Sequence, residues 1–241
     1  CRLGMRVRRI HDDGPVELAD GGVIVAGVVV GADGPRSRVG RAIGQVNAQL
    51  VETRQITVPL RRPYEATDIH LSAEIPGGYG WMFPKADVAH VGAGVDPPHR
   101  HRLKAIVAAL HARLVRTGQV GPQILGLTGG AIPAGGMLRP SGRLGDGLAL
   151  LAGDAAGLAN PVTGAGIAAA VHSGRLAGQA AAAWLGGDLG SGLAFEEEIE
   201  SVFKSALDRA LRRRRELALR QPADKVALRR GWIAYPEYWT A

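Results

Sequence analysis

The segment "LALLAGDAAGLANPVTGAGIAAAVHSGRLAG", residues 148–178, decides the fold class. An apolar run, 148–152, delivers Gly153-Asp154 into a glycine-rich loop, and the loop opens an alanine-rich stretch that predicts a helix from about residue 163 to 185. Strand, loop and helix in that order define an α/β arrangement, in which ligand groups stand beyond the carboxyl ends of strands. Asp154 occupies that place, where its carboxylate can accept hydrogen bonds from sugar-alcohol hydroxyls. Residues 164–167 offer an anion the unpaired N–H groups and positive dipole end of a helix start. Gly164, Gly166 and Ala169 also satisfy a bare GxGxxA pattern. They follow their strand too late, and no second strand with a terminal acidic residue comes about 20 residues on, so that dinucleotide reading is set aside.

A second string of the same kind, "VVVGADGPRSRVG" at residues 28–40, puts Asp33 just past an apolar strand, with Gly34 allowing close backbone approach. Alone it reads equally as a ligand loop or as a capped strand-to-helix turn, since Asp and Ser also cap helices. Upstream, residues 5–10 and 15–19 alternate charged and apolar positions and residues 20–22 supply turn chemistry before the run 23–30, predicting a short antiparallel meander. Residues 50–95, rich in β-branched and aromatic side chains, predict a mostly antiparallel sheet. Leu103, Ile106, Val107, Leu110 and Leu114 fall at helical spacing, and residues 118–147 read as a Gly- and Pro-rich connection. A last apolar series from Leu193 to Leu211 marks a helix that carries the run Arg212 to Arg215.

With 241 residues, 46% hydrophobic and 21% charged, the chain is long enough for one large or two modest domains and excludes a disordered tail. The charge of +7 raises the question of nucleic acid or an anionic membrane, but the basic residues are scattered and match no nucleic-acid motif, so no nucleic-acid partner is expected. One Cys excludes a disulfide framework or a multi-thiolate metal site and points to a reducing, cytoplasmic setting. His99, His101 and His111 lack companions at ligand spacing, so no metal is expected, and His172 reads as a packing residue. No run of about 18 apolar residues is present to span a membrane. Arg212 to Arg215 read as a solvated helix face, with peripheral contact to anionic lipid as the alternative. The chain opens at Cys1 without Met or a signal peptide, so its natural beginning is expected upstream; a lipidated Cys1 is disfavoured.

Together the two strings resemble the second and third fingerprints of the FAD flavoproteins of the para-hydroxybenzoate hydroxylase type. The resemblance implies an α/β (α+β) FAD-binding fold with an antiparallel-sheet substrate domain. It places Asp33 and Gly34 near the FAD pyrophosphate and ribityl chain, Gly153 and Asp154 at the ribityl hydroxyls, and Pro161, Gly164, Gly166 and Ile167 beside the isoalloxazine. The first fingerprint, an N-terminal GxGxxG unit, is absent from these residues, so the fold is expected to be N-terminally truncated. A third string, "PGGYGWMFPKADVAHVGAG" at residues 76–94, contains PxxYxWxFP and resembles the geranylgeranyl reductase family. Periodicity alone puts Tyr79, Trp81 and Phe83 on one core face of an amphipathic strand. The resemblance implies instead that these aromatics and Pro84 line a cavity for an isoprenoid chain.

The activity so implied is FAD-dependent reduction of C=C bonds in a polyprenyl group on a lipid, quinone or pigment precursor, with electrons from NAD(P)H or a reduced redox protein. The alternatives are an aromatic monooxygenase or halogenase of the same superfamily, or a catalytically silent fragment. The single Cys counts against the electron-transfer-flavoprotein:quinone oxidoreductase relatives, which need cluster ligands. Expected domains are residues 1–46 and 146–186 for the FAD-binding part, 47–145 for the substrate sheet and 187–241 for a C-terminal helical region. No proton donor is assigned: Tyr79 and Lys85 have the chemistry, though Lys85 reads as a solvated strand end. The string at 228–239 either covers the cavity or caps a core.

Overall fold

The turn chemistry at Asp20 to Gly22 starts a strand as expected, but Gly27 interrupts the apolar run, which forms two strands instead of one. The N-terminal elements are β1 (Val7–Ile10), β2 (Val16–Leu18), β3 (Val23–Ile24), β4 (Val28–Gly31) and α1 (Arg38–Ala42). They are followed by β5 (Leu50–Pro59), β6 (Asp68–His70), β7 (Gly80–Lys85), β8 (Val88–Val95), α2 (Leu103–Arg116) and β9 (Gly126–Pro133). The chain ends with β10 (Ser141–Leu144), β11 (Gly147–Leu151), α3 (Ile167–Leu185), α4 (Ser191–Leu219), α5 (Lys225–Gly231) and α6 (Pro236–Trp239). This computed structural model describes residues 2–219 and 225–240, so Cys1 and its proposed chemistry lie outside the described residues.

The chain divides into two compact units, one of Cys1–Gln49 with Pro133–Arg212 and one of Leu50–Ile132 with Arg213–Ala241. The divisions fall after residues 49, 132 and 212, where the motifs and the resemblance set the expected domain boundaries at 46, 145 and 186. The stretch 118–147 is not a plain connection, because β9 and β10 lie within it. Its glycines hide a strand: a Cβ at Gly129 would stand 2.6 Å from the Thr53 carbonyl oxygen, so glycine lets β9 run close beside β5.

In the first unit, β1, β2 and β3 form an antiparallel meander, and a second sheet has the order β10-β11-β4. Here β11 runs parallel to β4 with Leu151 opposite Gly31, so both strands end at the same level. Leu148, Leu150 and Leu151 are buried with Ala177 and Ala180 of α3 and with Phe195, Ile199 and Leu207 of α4. His172 meets Phe203 edge-on at 5.8 Å, consistent with a packing role. The two crossings into and out of the 50–132 segment are neighbours, since the Ala134 N–H donates to the Gln49 carbonyl at 2.9 Å.

In the second unit, five strands in the order β6-β7-β8-β5-β9 form a sheet. Pleating separates its two faces. Met82 pairs with Val91 and Val91 with Ile56, and these share a core with Leu103, Val107, Leu110 and Leu114 of α2. Burying each such side chain is worth about 1.5–3 kcal/mol. Trp81 pairs instead with Gly92, and Gly92 with Gln55, on the opposite face. A Cβ at Gly92 would stand 2.4 Å from the Trp81 ring, so the bare backbone there is the floor on which the indole lies.

Candidate functional site

Because β4 and β11 are parallel neighbours ending together, the loops that follow them leave the sheet side by side. The first carries Asp33 and Gly34, the second Gly153 and Asp154. Asn47 joins them: its amide nitrogen donates to the Pro35 carbonyl at 3.1 Å and to the Asp154 backbone carbonyl at 3.0 Å. Its own Oδ1 is buried and, among the described residues, has no partner. Sequence reasoning passed over Asn47, since a contact spanning 107 residues leaves no local signal.

Asp33 does part of the ordinary work of a helix cap, its Oδ2 accepting the Arg38 N–H at 2.7 Å, while Ser37 Oγ caps α1 through the Gly40 N–H at 2.8 Å. Gly34 takes the left-handed conformation, φ +81°, and a Cβ there would meet nothing within 4 Å, so the backbone is open on that side. The turn is thus a capped helix start with an accessible backbone at Gly34.

The second loop presents Asp154 differently. Its carboxylate is half-buried and, among the described residues, engages no donor. Burial pushes its pKa above the usual carboxylate range. The Gly153 N–H is held by Ser173 Oγ at 2.9 Å, and Ser173 in turn donates to the Ala169 carbonyl at 2.7 Å, which fixes the loop to α3. Asn160 organises the approach to α3: its Oδ1 accepts the N–H groups of Val162 and Thr163 at 2.9 and 3.0 Å, and its carbonyl accepts that of Gly164 at 2.8 Å. Pro161 is buried in this turn.

The helix itself begins at Ile167, four residues later than expected, with Gly166 as its N-cap and no side chain capping it. Its first N–H groups therefore stand beside the Asp154 carboxylate, since a Cβ at Gly166 would lie 3.2 Å from Asp154 Oδ1. A hydroxyl-bearing ligand with an anionic portion fits this cradle: an acceptor without a donor, open backbone at Gly34, and helix N–H groups. The ribityl and isoalloxazine half of FAD carries hydroxyls and, when reduced, negative charge, so the residues present fit it.

The aromatic residues collect in the second unit. Trp81 and Phe83 stack with centroids 5.7 Å apart, Tyr79 meets Trp81 edge-on at 5.7 Å, and Trp232 meets Tyr79 edge-on at 5.0 Å. The C-terminal segment thus packs on this aromatic face. The Trp81 indole N–H donates to Gln55 Oε1 at 3.0 Å, and Gln55 also meets His90 Nδ1 at 2.7 Å. Burial pushes the Tyr79 hydroxyl up to about 12. Pro84, by the alternation of β7, shares the Met82 face instead of joining the aromatics. Lys85 is exposed at the strand end.

The run Arg212 to Arg215 is not uniformly solvated. Arg213 is 5% exposed and donates to the carbonyls of Tyr238 and Thr240. Arg214 pairs with Asp96 at 2.6 Å with its side chain 17% exposed. Only Arg212 and Arg215 face outward, because tertiary partners, invisible in a local charge run, claim the middle two. Among the described residues no group of His, Cys, Asp and Glu could hold a metal ion, and no helix is long and apolar enough to cross a membrane.

The strand order and paired loops define an FAD-dependent flavoprotein fold. A geranylgeranyl bacteriochlorophyll reductase-like protein from Thermoplasma acidophilum superposes with TM-score 0.75 at 24% identity, over 96% of this chain and 60% of that one. A probable FAD-dependent monooxygenase from Pseudomonas aeruginosa superposes with TM-score 0.60 at 21% identity, over 89% of this chain and 63% of the other. In sequence, the digeranylgeranylglycerophospholipid reductase of Methanocella arvoryzae is 37% identical over 161 residues, 64% of this chain and 40% of that protein. The resemblance read from the three motifs, to the geranylgeranyl reductase family of FAD-dependent oxidoreductases, is borne out by these relatives. No family model matches the chain. The chain spans 39–50% of the length of the curated relatives it matches.

Proposed function

We propose that this chain forms the ribityl and isoalloxazine side of an FAD site, together with an aromatic substrate face, in a reductase that saturates C=C bonds of a polyprenyl lipid. The observation that carries the reading is the half-buried, unpartnered Asp154 carboxylate beside the uncapped start of α3, tied by Asn47 to the Asp33-Gly34 loop. The names of the relatives support a lipid of the glycerophospholipid type.

Held by these residues, FAD would, once reduced, supply the hydride for one alkene carbon, while the other carbon takes a proton. The residues of this chain bind, orient and shield. Asp154 accepts from ribityl hydroxyls, and the first turn of α3 favours negative charge near Ile167. Tyr79, Trp81 and Phe83 offer an apolar surface to an isoprenoid chain and exclude water from it. Tyr79 keeps its phenolic proton at neutral pH because burial disfavours the phenolate. Electrons from NAD(P)H or a reduced redox protein, and peripheral contact with a membrane, belong to the same reading.

The test is the visible spectrum of the purified chain after FAD is added and the excess removed, beside Asp154→Ala. Retained flavin that the variant loses supports the site. An anaerobic assay for saturation of a geranylgeranyl lipid then tests the chemistry. Equal retention by both chains would overturn the role given to Asp154.

A further inference from the structure

We propose that an open cleft of about 560 Å³ in the second unit binds the phosphate headgroup of a lipid. The cleft forms where β5, β9, the 3₁₀ turn Pro97–Arg102 and the first turn of α2 meet. Arg54 comes from β5, Arg100 from the turn and Lys104 from α2, with His101 beside them and no carboxylate in the lining. Among the described residues none of these three cations has an ion pair or hydrogen bond. That separates them from Arg213 and Arg214, whose charges are taken up by internal partners.

Three uncompensated positive charges around one cleft repel one another, and an anion of more than one charge relieves that repulsion. A guanidinium offers paired donors that match two phosphate oxygens, and an ammonium adds a compact charge. The cleft is also larger than a bare phosphate needs, and its edge is apolar. Leu127 lines it while 55% exposed, and Ile124 and Leu125, just before it in the chain, are 56% and 50% exposed. Free phosphate has no use for such a rim. A phosphorylated amphiphile does, because its headgroup meets the cations while its glyceride region covers the leucines.

The inference deepens the lipid reading above, yet its test uses neither flavin nor alkene reduction, so either can fail without the other. The 241-residue chain is floated with vesicles of phosphatidylcholine alone or mixed with phosphatidylglycerol, and glycerol phosphate serves as the soluble arm. We expect binding to the mixed vesicles, weakened at least about tenfold by Arg100→Glu with Lys104→Glu. Leu127→Ser weakens it severalfold. Arg212→Glu with Arg215→Glu imposes the same charge change on two exposed arginines outside the cleft and changes binding less than about twofold. If the glutamate pair perturbs the near-ultraviolet circular dichroism, Arg100→Gln with Lys104→Gln replaces it and must still weaken binding. Equal loss from the cleft and control pairs would show general attraction and overturn the proposal. Glycerol phosphate binding without vesicle binding would identify a soluble phosphate ester and overturn the lipid assignment.

Discussion

The side-chain amide of Asn47 holds the backbone oxygen of Asp154 at 3.0 Å across 107 residues of chain and makes a second bond of 3.1 Å to Pro35. One planar group thereby ties the loop after β4 to the loop after β11. Asn47→Leu removes two donated bonds and leaves two carbonyls with a lost partner, which costs about 1–3 kcal/mol. Thermal unfolding of the apo chain should fall by several degrees, and flavin retention should fall further than that loss of stability explains. Unchanged retention in a destabilised variant would show that the loops keep their spacing without Asn47.

Asp154 should carry a cost of its own. Burial raises its folded-state pKa, so the ionised form opposes folding. That penalty is fully present above the raised value and disappears below the ordinary carboxylate value. Asp154→Asn should therefore melt higher than the parent at pH 7 when no flavin is present, with the gain shrinking as the pH is lowered toward the carboxylate range. Melting curves across pH check this, and a lower melting temperature for the variant at pH 7 would contradict it.

Gly166 separates cradle from fold. Its φ of −141° is open to any residue, but a Cβ would stand 3.2 Å from Asp154 Oδ1 and 3.4 Å from the Ala159 Cβ. Gly166→Ala should cost about 1 kcal/mol of apo stability, since a shift of a few tenths of an ångström suffices and alanine is the poorer residue at an N-cap. Flavin affinity should drop by more than tenfold. Spectral titration beside a melting curve distinguishes the two effects.

The floor under Trp81 gives a prediction confined to the second unit. Gly92→Ala would place a Cβ 2.4 Å from the indole and 2.8 Å from the Arg54 carbonyl oxygen, so the ring or strand must move. Destabilisation of about 1–3 kcal/mol is expected, with a changed near-ultraviolet signal from the stacked Trp81 and Phe83. A variant with parent-like spectrum and stability would show that the indole does not lie on Gly92.

The local strings made much of this legible. Gly153-Asp154 follows a buried strand and Asp33-Gly34 a partly exposed apolar one, and that signal needs no long-range knowledge; the alternation at Tyr79, Trp81 and Phe83 likewise places three rings on one face. What escaped depends on distant chain. Asn47 and Ser173 act through partners remote in sequence, and Arg213 and Arg214 look like surface charge until Tyr238 and Asp96 come beside them. The strand β9 escaped for the opposite reason, since the glycines that let it approach Thr53 are also the residues that mark loops.

The hydrogen bond between Ala134 and Gln49 makes the 50–132 segment an insertion with a single doorway. Both of its ends pass the same point of the first unit, so a recombination event cutting there exchanges the sheet and its basic cleft, with only Trp232 of the aromatic face left behind, while Asp33, Asn47 and Asp154 stay in place. Diversification of the sheet can then proceed without renegotiating the loops that carry Asp33 and Asp154.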